Sequence, residues 1–312
     1  MNAAKLLFAG TPDFALASLR ALVSAGFVPA AVLTQPDRPA GRGKKLGASP
    51  VKQFALLQEI PLWQPETLKD PEFVSKLTDM QPDIIIVAAY GLILPQAILD
   101  IPRQGCLNVH ASLLPRWRGA APIQQAILEG DSQTGISLMQ MEAGLDSGPV
   151  FATAATSIGG AETAGELHDR LALLGGELLV GKLPEILGGT LASVPQDDSL
   201  ATYAGKIKTA DAAIDWSETA QDTLGKIRAY NPVPGAFFDL DGARIKCWRA
   251  ELHAGIEGPA GTIQAAGKEG IDVACGEGGL RLLELQRPGG RRVTAAEFAA
   301  QAGLQGKQLG SL

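Results

Sequence analysis

Asp83-Ile-Ile-Ile-Val-Ala-Ala89 is the stretch of sequence that decides the fold. Its apolar residues follow one another without alternating with polar ones, and four of them are β-branched. Such a run predicts a strand whose two faces are both buried. Strands of this kind occur in sheets that are covered by helices on both sides, so helical segments are expected between this strand and its neighbours.

The chain on either side of this run repeats the same alternation of strands and helices. Four further apolar runs predict strands of the same sheet: residues 5–9, 28–34, 60–63 and 105–110. A helical spacing of apolar residues follows the first of them, at residues 14–23. The pattern predicts an α/β fold with a Rossmann-like, doubly wound parallel sheet, whose ligand site lies at the carboxyl ends of the strands.

The second half of the chain has a different organisation. Residues 162–187 predict one or two helices, and a polar, turn-rich stretch follows. Asp241-Gly242 then separates two alternating segments, which predicts a hairpin. Short strands at 261–263, 271–275 and 279–285, with a helix at 295–302, complete an OB-like β-barrel domain. The predicted boundaries are 1–189 for the α/β domain, 190–208 for a linker and 209–312 for the barrel.

Composition excludes several classes of protein. The net charge of −6 argues against nonspecific nucleic-acid binding, although local basic clusters are compatible with it. The three cysteines lie far apart, so neither a disulfide framework nor a zinc site is expected. The longest apolar run, residues 84–94, is too short to span a bilayer, and the N-terminus does not resemble a signal peptide. A cytoplasmic monomer without an obligate protein partner is expected.

The first strand–helix turn bears on dinucleotide binding. It is Gly10-Thr-Pro-Asp13, which lacks the G-x-G-x-x-G pattern. A nicotinamide-dependent oxidoreductase is therefore disfavoured.

Two short segments carry chemically useful side chains. In Gly105-Cys-Leu-Asn-Val-His-Ala-Ser-Leu-Leu-Pro115, an extended chain would place Asn108, His110 and Ser112 on one face. A lone histidine is commonly structural, but three polar groups at the end of a strand favour a cleft. In Gly144-Leu-Asp-Ser-Gly-Pro149, Asp146 lies between glycines, where aspartate is commonly a turn residue.

These segments resemble the 10-formyltetrahydrofolate-dependent formyltransferases. The resemblance rests on residues 108–115, on the following Arg116-Trp-Arg-Gly-Ala-Ala-Pro-Ile123 and on the aspartate motif, and it extends over nearly the whole chain. It implies that Asn108, His110 and Asp146 are catalytic and that 10-formyltetrahydrofolate is the one-carbon donor. It also implies a folate contact at Ser112, Leu113, Leu114 and Pro115.

Formyl transfer to an amine suits these residue types. Attack of the amine on the formyl carbon builds an oxyanion, to which the Asn108 amide can donate. His110 can share in this stabilisation or in proton transfer, and Asp146 can orient the imidazole or take a proton through water. The ordinary pKa of an α-amine is about 7.7–8.0, so the acceptor is partly neutral already and neither a strong base nor a metal is required.

The amine acceptor is indicated by basic segments. Residues 34–52 resemble the basic loop of family members that formylate methionyl-tRNA. The linker and post-linker motifs of the same members are matched at residues 203–208, 214–216 and 227–235. Val233 is a departure, because those members commonly have an aromatic residue at this position between two prolines. The resemblance implies that the acceptor is initiator methionyl-tRNA. Predicted tRNA contacts are Arg38, Arg42, Lys44, Lys45, Lys206 and Lys208, and also a basic cluster of Arg281, Arg287, Arg291 and Arg292. Lys52 adds positive charge to the loop.

Three alternatives stay open on the sequence. A solvated surface loop would carry the same charges as the basic loop. An enzyme that formylates a small amine, such as a nucleotide-linked amino sugar or glycinamide ribonucleotide, would share the catalytic residues without needing the basic segments. A folate- or RNA-binding module without catalytic activity would retain the same surface.

Overall fold

The computed structural model describes residues 4–40, 45–300 and 303–310, which form two compact units. The first unit contains the residues up to Pro122 with Thr134–Thr156 and His168–Ala204. The second contains Ile123–Gln133, Ser157–Leu167 and the chain from Gly205 onward. Most of the predicted linker, residues 190–204, thus packs within the first unit; the boundaries at 189 and 208 stay a prediction.

The α/β unit is built on a seven-stranded sheet. In chain order, the strands up to residue 204 are β1 (Leu6–Gly10), β2 (Ala31–Leu33), β3 (Arg38–Ala40), β4 (Lys45–Gly47), β5 (Leu62–Trp63), β6 (Ile84–Ala88), β7 (Cys106–His110), β8 (Arg118–Gly119), β9 (Gln133–Gln140), β10 (Val150–Ser157) and β11 (Tyr203–Ala204). The sheet has the order β10-β9-β7-β6-β1-β2-β5, while β3 pairs with β4 and β8 with β11.

The predicted doubly wound parallel sheet is confirmed, with one departure. The pairs from β7 through β6, β1 and β2 to β5 are all parallel. Strand β9, which the sequence pattern does not predict, runs antiparallel to β7. An antiparallel strand toward the edge of an otherwise parallel sheet is common, because hairpin-connected strands can extend such an edge.

Helices cover the sheet as the sequence predicts. Up to residue 187 the chain forms α1 (Asp13–Ser24), α2 (Pro50–Leu57), α3 (Pro71–Met80), α4 (Gln96–Leu99), α5 (Pro122–Leu128) and α6 (Ala164–Leu187). From Ile123 onward α5 belongs to the second unit, and α6 belongs to the first unit from His168 onward. Ser49 and Asp70 cap α2 and α3 with their side chains, and proline follows each cap at the first helical position. All five residues of β1 and of β6 are buried. Residues 162–187 prove to contain one long helix.

The second unit has an antiparallel sheet. After two 3₁₀ turns (Asp198–Leu200 in the first unit and Thr209–Ala212 in the second), its elements are α7 (Ala220–Ala229), β12 (Phe237–Leu240), β13 (Ala243–Leu252), β14 (Ile263–Ala266), β15 (Ile271–Ala274), β16 (Gly279–Gln286), β17 (Arg292–Thr294) and α8 (Ala295–Ala299). The order is β12-β13-β16-β15-β14, with β17 beside β16. The predicted hairpin is confirmed, with Asp241 and Gly242 at φ 55° and 79° in its turn.

The C-terminal segment joins the two edges of this sheet. Asp239 in β12 forms an antiparallel bridge with Gly310, and Thr262, which precedes β14, forms one with Gln308. The sheet is therefore curled into a half-barrel around buried side chains such as Phe238, in agreement with the predicted OB-like fold class. The helix predicted at 295–302 is shorter, and residues 301–302 lie outside the described chain.

Within the described ranges, the helices are too short or too polar to cross a membrane.

Candidate active site

The predicted catalytic residues come together at the end of β7, an interior strand of the sheet. Asn108 is half-buried and His110 is buried. Asn108 Nδ2 lies 3.5 Å from Asp146 Oδ1, and His110 Nδ1 lies 3.7 Å from Asp146 Oδ2. Because alternate residues of a strand point to the same face, both side chains reach one carboxylate.

Asp146 is held in the loop between β9 and β10. Its φ of 49° is in the left-handed region, which costs a non-glycine residue about 1 kcal/mol. The backbone N–H of Gly119 donates to Asp146 Oδ2 at 2.8 Å. The carboxylate therefore meets a backbone donor, an amide and an imidazole, and its side chain is 16% exposed.

The hydrogen-bond partner of His110 decides its neutral tautomer. Nε2 lies 3.1 Å from the backbone carbonyl oxygen of Trp117. A carbonyl oxygen can only accept a hydrogen bond, so Nε2 carries the hydrogen. In the neutral ring the lone pair is on Nδ1, the atom that faces Asp146. A proton taken up at Nδ1 would therefore lie beside a carboxylate.

The predicted folate segment follows a sharp change in chain direction. Strand β7 ends at His110, so the extended geometry predicted through Ser112 is wrong beyond that residue. Ser112 is fully buried and its hydroxyl donates to the carbonyl oxygen of Arg116 at 2.6 Å. Leu113, Leu114 and Pro115 are half-buried. Whether residues 112–115 contact folate stays a prediction.

The predicted basic loop is described only in part. Arg38 is exposed, Lys45 lies in β4, and Arg42 and Lys44 lie outside the described residues. Lys52 Nζ donates to Asp37 Oδ2 at 2.7 Å. This hydrogen bond holds the pKa of the Asp37 carboxyl below its ordinary value. The positive charge of Lys52 is thus already paired with Asp37 beside the loop.

In the second unit, some predicted basic residues are exposed and others are paired with carboxylates. Lys206 and Lys208 are exposed. Two arginines of the predicted cluster are neutralised: Arg281 forms a two-point ion pair with Asp272, and Arg291 pairs with Glu297.

The other arginines of that cluster stack on aromatic rings. Arg292 lies 3.7 Å from the ring centroid of Trp248, and Arg287 lies 4.2 Å from that of Phe298. Arg244 and Lys246, which the charge pattern of the sequence does not single out, line a cavity of about 250 Å³ together with Arg287. Stacked guanidinium groups keep their N–H donors available for anions.

Sequence reasoning missed several groups that build the active site. Gly119 and the carbonyl of Trp117 lie within Arg116–Ile123, a segment on which the family resemblance rests, so that segment was the signal that could have indicated them. No sequence signal indicated Gln196, because it lies in the polar stretch predicted as a linker. Its side chain nevertheless donates to the carbonyl oxygen of Asp146 at 2.8 Å.

Comparisons with known proteins identify the family of this chain. Residues 4–183 match the formyl transferase family model, and residues 206–303 match the model of the formyl transferase C-terminal domain. A protein of Aromatoleum aromaticum named methionyl-tRNA formyltransferase is 54% identical over 294 residues, which cover 94% of this chain and 93% of that protein. A protein of the same name from Methylococcus capsulatus is 49% identical over 98% of this chain and all of its own length.

A solved structure shares the fold at lower identity. The N-formyltransferase of Helicobacter canadensis, in complex with folinic acid and dTDP-3-aminofucose, superposes with a TM-score of 0.68. It is 18% identical and covers 92% of this chain and 100% of its own. With both family models and relatives of about half-identical sequence over nearly its full length, the chain belongs to the formyl transferase family, among the methionyl-tRNA formyltransferases.

Proposed function

We propose that this chain transfers the formyl group of 10-formyltetrahydrofolate to the α-amino group of methionine on initiator methionyl-tRNA. The product, N-formylmethionyl-tRNA, is used to initiate translation. The observation that carries the proposal is the Asp146 carboxylate in contact with Asn108 and His110, in a chain half-identical to proteins named for this reaction. The reaction takes place in the cytoplasm, and the enzyme acts as a monomer.

The reaction forms one bond to the formyl carbon and breaks another. The methionyl nitrogen attacks that carbon and gives a tetrahedral oxyanion, and the bond to N10 of the folate then breaks. The amine loses a proton and N10 gains one. Asn108 directs one amide N–H toward Asp146, so its second N–H is available to the oxyanion. Removal of such a donor typically costs about 2.7–4 kcal/mol of transition-state stabilisation.

His110 and Asp146 handle the proton. The Trp117 carbonyl keeps the hydrogen of the neutral ring on Nε2, so Nδ1 is the atom that accepts. The Asp146 carboxylate, 3.7 Å from Nδ1, stabilises the imidazolium that forms. The proton is then available to the leaving folate nitrogen.

Folate as the donor is supported by structural neighbours. The H. canadensis enzyme contains folinic acid, and HypX of Aquifex aeolicus, with a TM-score of 0.65, contains tetrahydrofolic acid. In this chain the folate contacts are proposed at Ser112, Leu113, Leu114 and Pro115. This segment is held against β9 because Ser137 Oγ accepts from Leu114 N and donates to the Ser112 carbonyl.

The proposed tRNA contacts are basic side chains of both units. In the first unit they are Arg38, Arg42, Lys44 and Lys45. In the second unit they are Lys206 and Lys208, with Arg287 and Arg292, whose stacked guanidinium groups can donate to phosphate oxygens. Arg281 and Arg291 contribute less, because carboxylates already neutralise them.

The decisive experiment offers the purified protein labelled 10-formyltetrahydrofolate together with charged initiator tRNA, amino-sugar nucleotide or glycinamide ribonucleotide, in parallel reactions. We expect label to appear only on the tRNA. Transfer to a small amine alone would overturn the proposed acceptor. Turnover that survives in Asn108→Ala and His110→Ala would overturn the proposed catalytic residues.

The basic contacts are tested by salt. Affinity for charged tRNA should fall steeply as ionic strength rises, and Arg292→Ala should reduce the slope of log Kd against log salt. Arg291→Ala is the matched control, because Arg291 is already paired with Glu297. A flat salt response, or equal effects of the two variants, would contradict the proposed contacts. Unchanged formylation of tRNA by Arg42→Ala would argue against the basic loop.

A further inference from the structure

We infer that Gln196 and Arg118 form a clamp that positions Asp146 for catalysis, an inference that rests on the proposed function. Gln196 Nε2 donates to the carbonyl oxygens of Asp146 and Gly148, at 2.8 and 2.7 Å. Gln196 Oε1 accepts from Arg118 Nε and Nη2, at 3.0 and 2.9 Å. One side chain therefore joins the Asp146 loop to the segment that follows β7.

The orientation of the Gln196 amide is determined by its partners. A guanidinium group can only donate hydrogen bonds, and a carbonyl oxygen can only accept them. The amide oxygen must face Arg118, and the amide nitrogen must face the two carbonyls. Both amide hydrogens and both lone-pair positions of the oxygen are used, so an exchange of oxygen and nitrogen would lose all of these hydrogen bonds.

Arg118, the second residue of the clamp, is held rigidly by burial and by further hydrogen bonds. It is 3% exposed, and its Nη2 also reaches Asp198 Oδ1 at 2.7 Å. Its backbone N–H donates to Thr202, and β8 pairs with β11, which ties it to residues 202–204. A buried guanidinium held from the backbone and the side chain has little freedom, and the same is true of the amide that it orients.

The clamp acts on the backbone of a residue in a strained conformation. Asp146 has a positive φ, and such a conformation persists only where its surroundings hold it. Gly119, the neighbour of Arg118, holds the Asp146 carboxylate, while Gln196 holds its carbonyl. The two contacts together determine where the carboxylate stands relative to Asn108 and His110.

Gln196→Glu tests the clamp with almost no change of shape. A carboxylate keeps the contact with Arg118 but cannot donate to the Asp146 and Gly148 carbonyls. Gln104→Glu is the matched control, because Gln104 Nε2 also donates to a carbonyl, that of Leu187, at an exposed position. We expect kcat of Gln196→Glu to fall about 10- to 100-fold, the effect of a misplacement of about 1 Å, with KM for both substrates within about threefold. Gln104→Glu should retain wild-type values.

A double-mutant cycle separates positioning from general stability. If Gln196 acts through Asp146, Gln196→Glu should lower kcat by less than about threefold in an Asp146→Asn background. Losses that multiply in the double variant, or wild-type kcat in Gln196→Glu, would overturn the inference. Should Gln196→Glu fail to fold, Arg118→Lys, which keeps the charge but loses the two-point contact, takes its place in the same cycle.

Hydrogen exchange gives a readout that does not require activity. Backbone amides of residues 144–148 should exchange faster in Gln196→Glu than in wild type, with exchange in β6 unchanged. Unchanged exchange in that loop would overturn the clamp. Absence of formylation by wild-type protein would instead overturn the proposed function, so the two failures are distinguishable.

Discussion

Replacement of Asp146 by asparagine tests the electrostatic part of the proposed mechanism. The substitution removes the negative charge that faces His110 Nδ1 at 3.7 Å but keeps the shape of the side chain. The introduced amide oxygen can still accept from the Gly119 N–H, so the loop should keep its conformation. We expect the melting temperature to change little and the catalytic rate to change strongly.

The distance sets limits for the effect. Two unit charges 3.7 Å apart attract by about 4.5 kcal/mol at an effective dielectric constant of about 20, and by about 1.1 kcal/mol in water. At about 1.36 kcal/mol per factor of ten, these limits correspond to about 2000-fold and about 6-fold in rate. His110 and Asp146 are 6% and 16% exposed, which favours the upper limit, but only part of a charge has formed at the transition state. We expect kcat to fall about 100- to 1000-fold.

The assay is single-turnover transfer of labelled formyl from 10-formyltetrahydrofolate to charged initiator tRNA. Asp70→Asn is the matched control, because Asp70 is an exposed cap of α3 and asparagine caps helices equally well. It should keep the wild-type rate. A rate for Asp146→Asn within about fivefold of wild type, in folded protein, would refute the reasoning that the carboxylate stabilises a charged imidazole.

Three further predictions concern the surrounding structure. Gly119→Ala should lower both kcat and melting temperature, because the φ of Gly119 is 119° and a Cβ there would lie 2.5 Å from the Ala204 carbonyl oxygen. The control Gly189→Ala has a positive φ but no close neighbour, so it should lose only about 1 kcal/mol of stability. Equal losses of stability in the two variants would contradict the steric argument. The hydrogen bond from Lys52 lowers the pKa of Asp37, so this contact stabilises the fold above the ordinary pKa of the carboxyl, and the contribution is lost as the pH falls through the lowered pKa. The difference in melting temperature between wild type and Asp37→Asn should therefore be present at neutral pH and shrink as the pH falls below the ordinary value of 3.8. A difference that stays constant with pH would contradict this role of Asp37. Cys106, Cys247 and Cys275 are buried, and burial raises the pKa of each thiol. Iodoacetamide at about pH 8 should therefore label none of these cysteines before the protein unfolds. Labelling of any of the three in the native protein would contradict their buried placement.

Local sequence patterns predicted the elements whose residues all share one environment or one backbone conformation. The run at 83–89 predicts a strand buried on both faces, and β6 is completely buried. The Asp241-Gly242 turn predicts its hairpin because only two positive-φ residues fit the twist of paired strands. Strand β9 was not predicted, because Gly135 interrupts the apolar pattern of its sequence. The glycine is required by the neighbouring strand, since a Cβ at residue 135 would lie 2.2 Å from the Ala154 carbonyl oxygen.

The charge pattern predicted basic surfaces but not which cations are available. Arg281 and Arg287 look alike in sequence, yet one is held by Asp272 and the other lies over Phe298. Pairing between strands β15 and β16 decides this, because it places Asp272 opposite Arg281. Such a contact depends on register, which a count of local charges does not contain.

The sequence by itself determined the strand that bears Asn108 and His110 and the side-chain spacing that puts both on one face, because that spacing follows from backbone geometry within a single short strand. Only the tertiary structure decided how the site is completed. Asp146 lies 38 residues from Asn108 along the chain, and Gln196 lies a further 50 residues on, in a stretch without a helical or strand pattern. Hydrogen bonds between such distant residues depend on the packing of the whole unit, and no local periodicity specifies them.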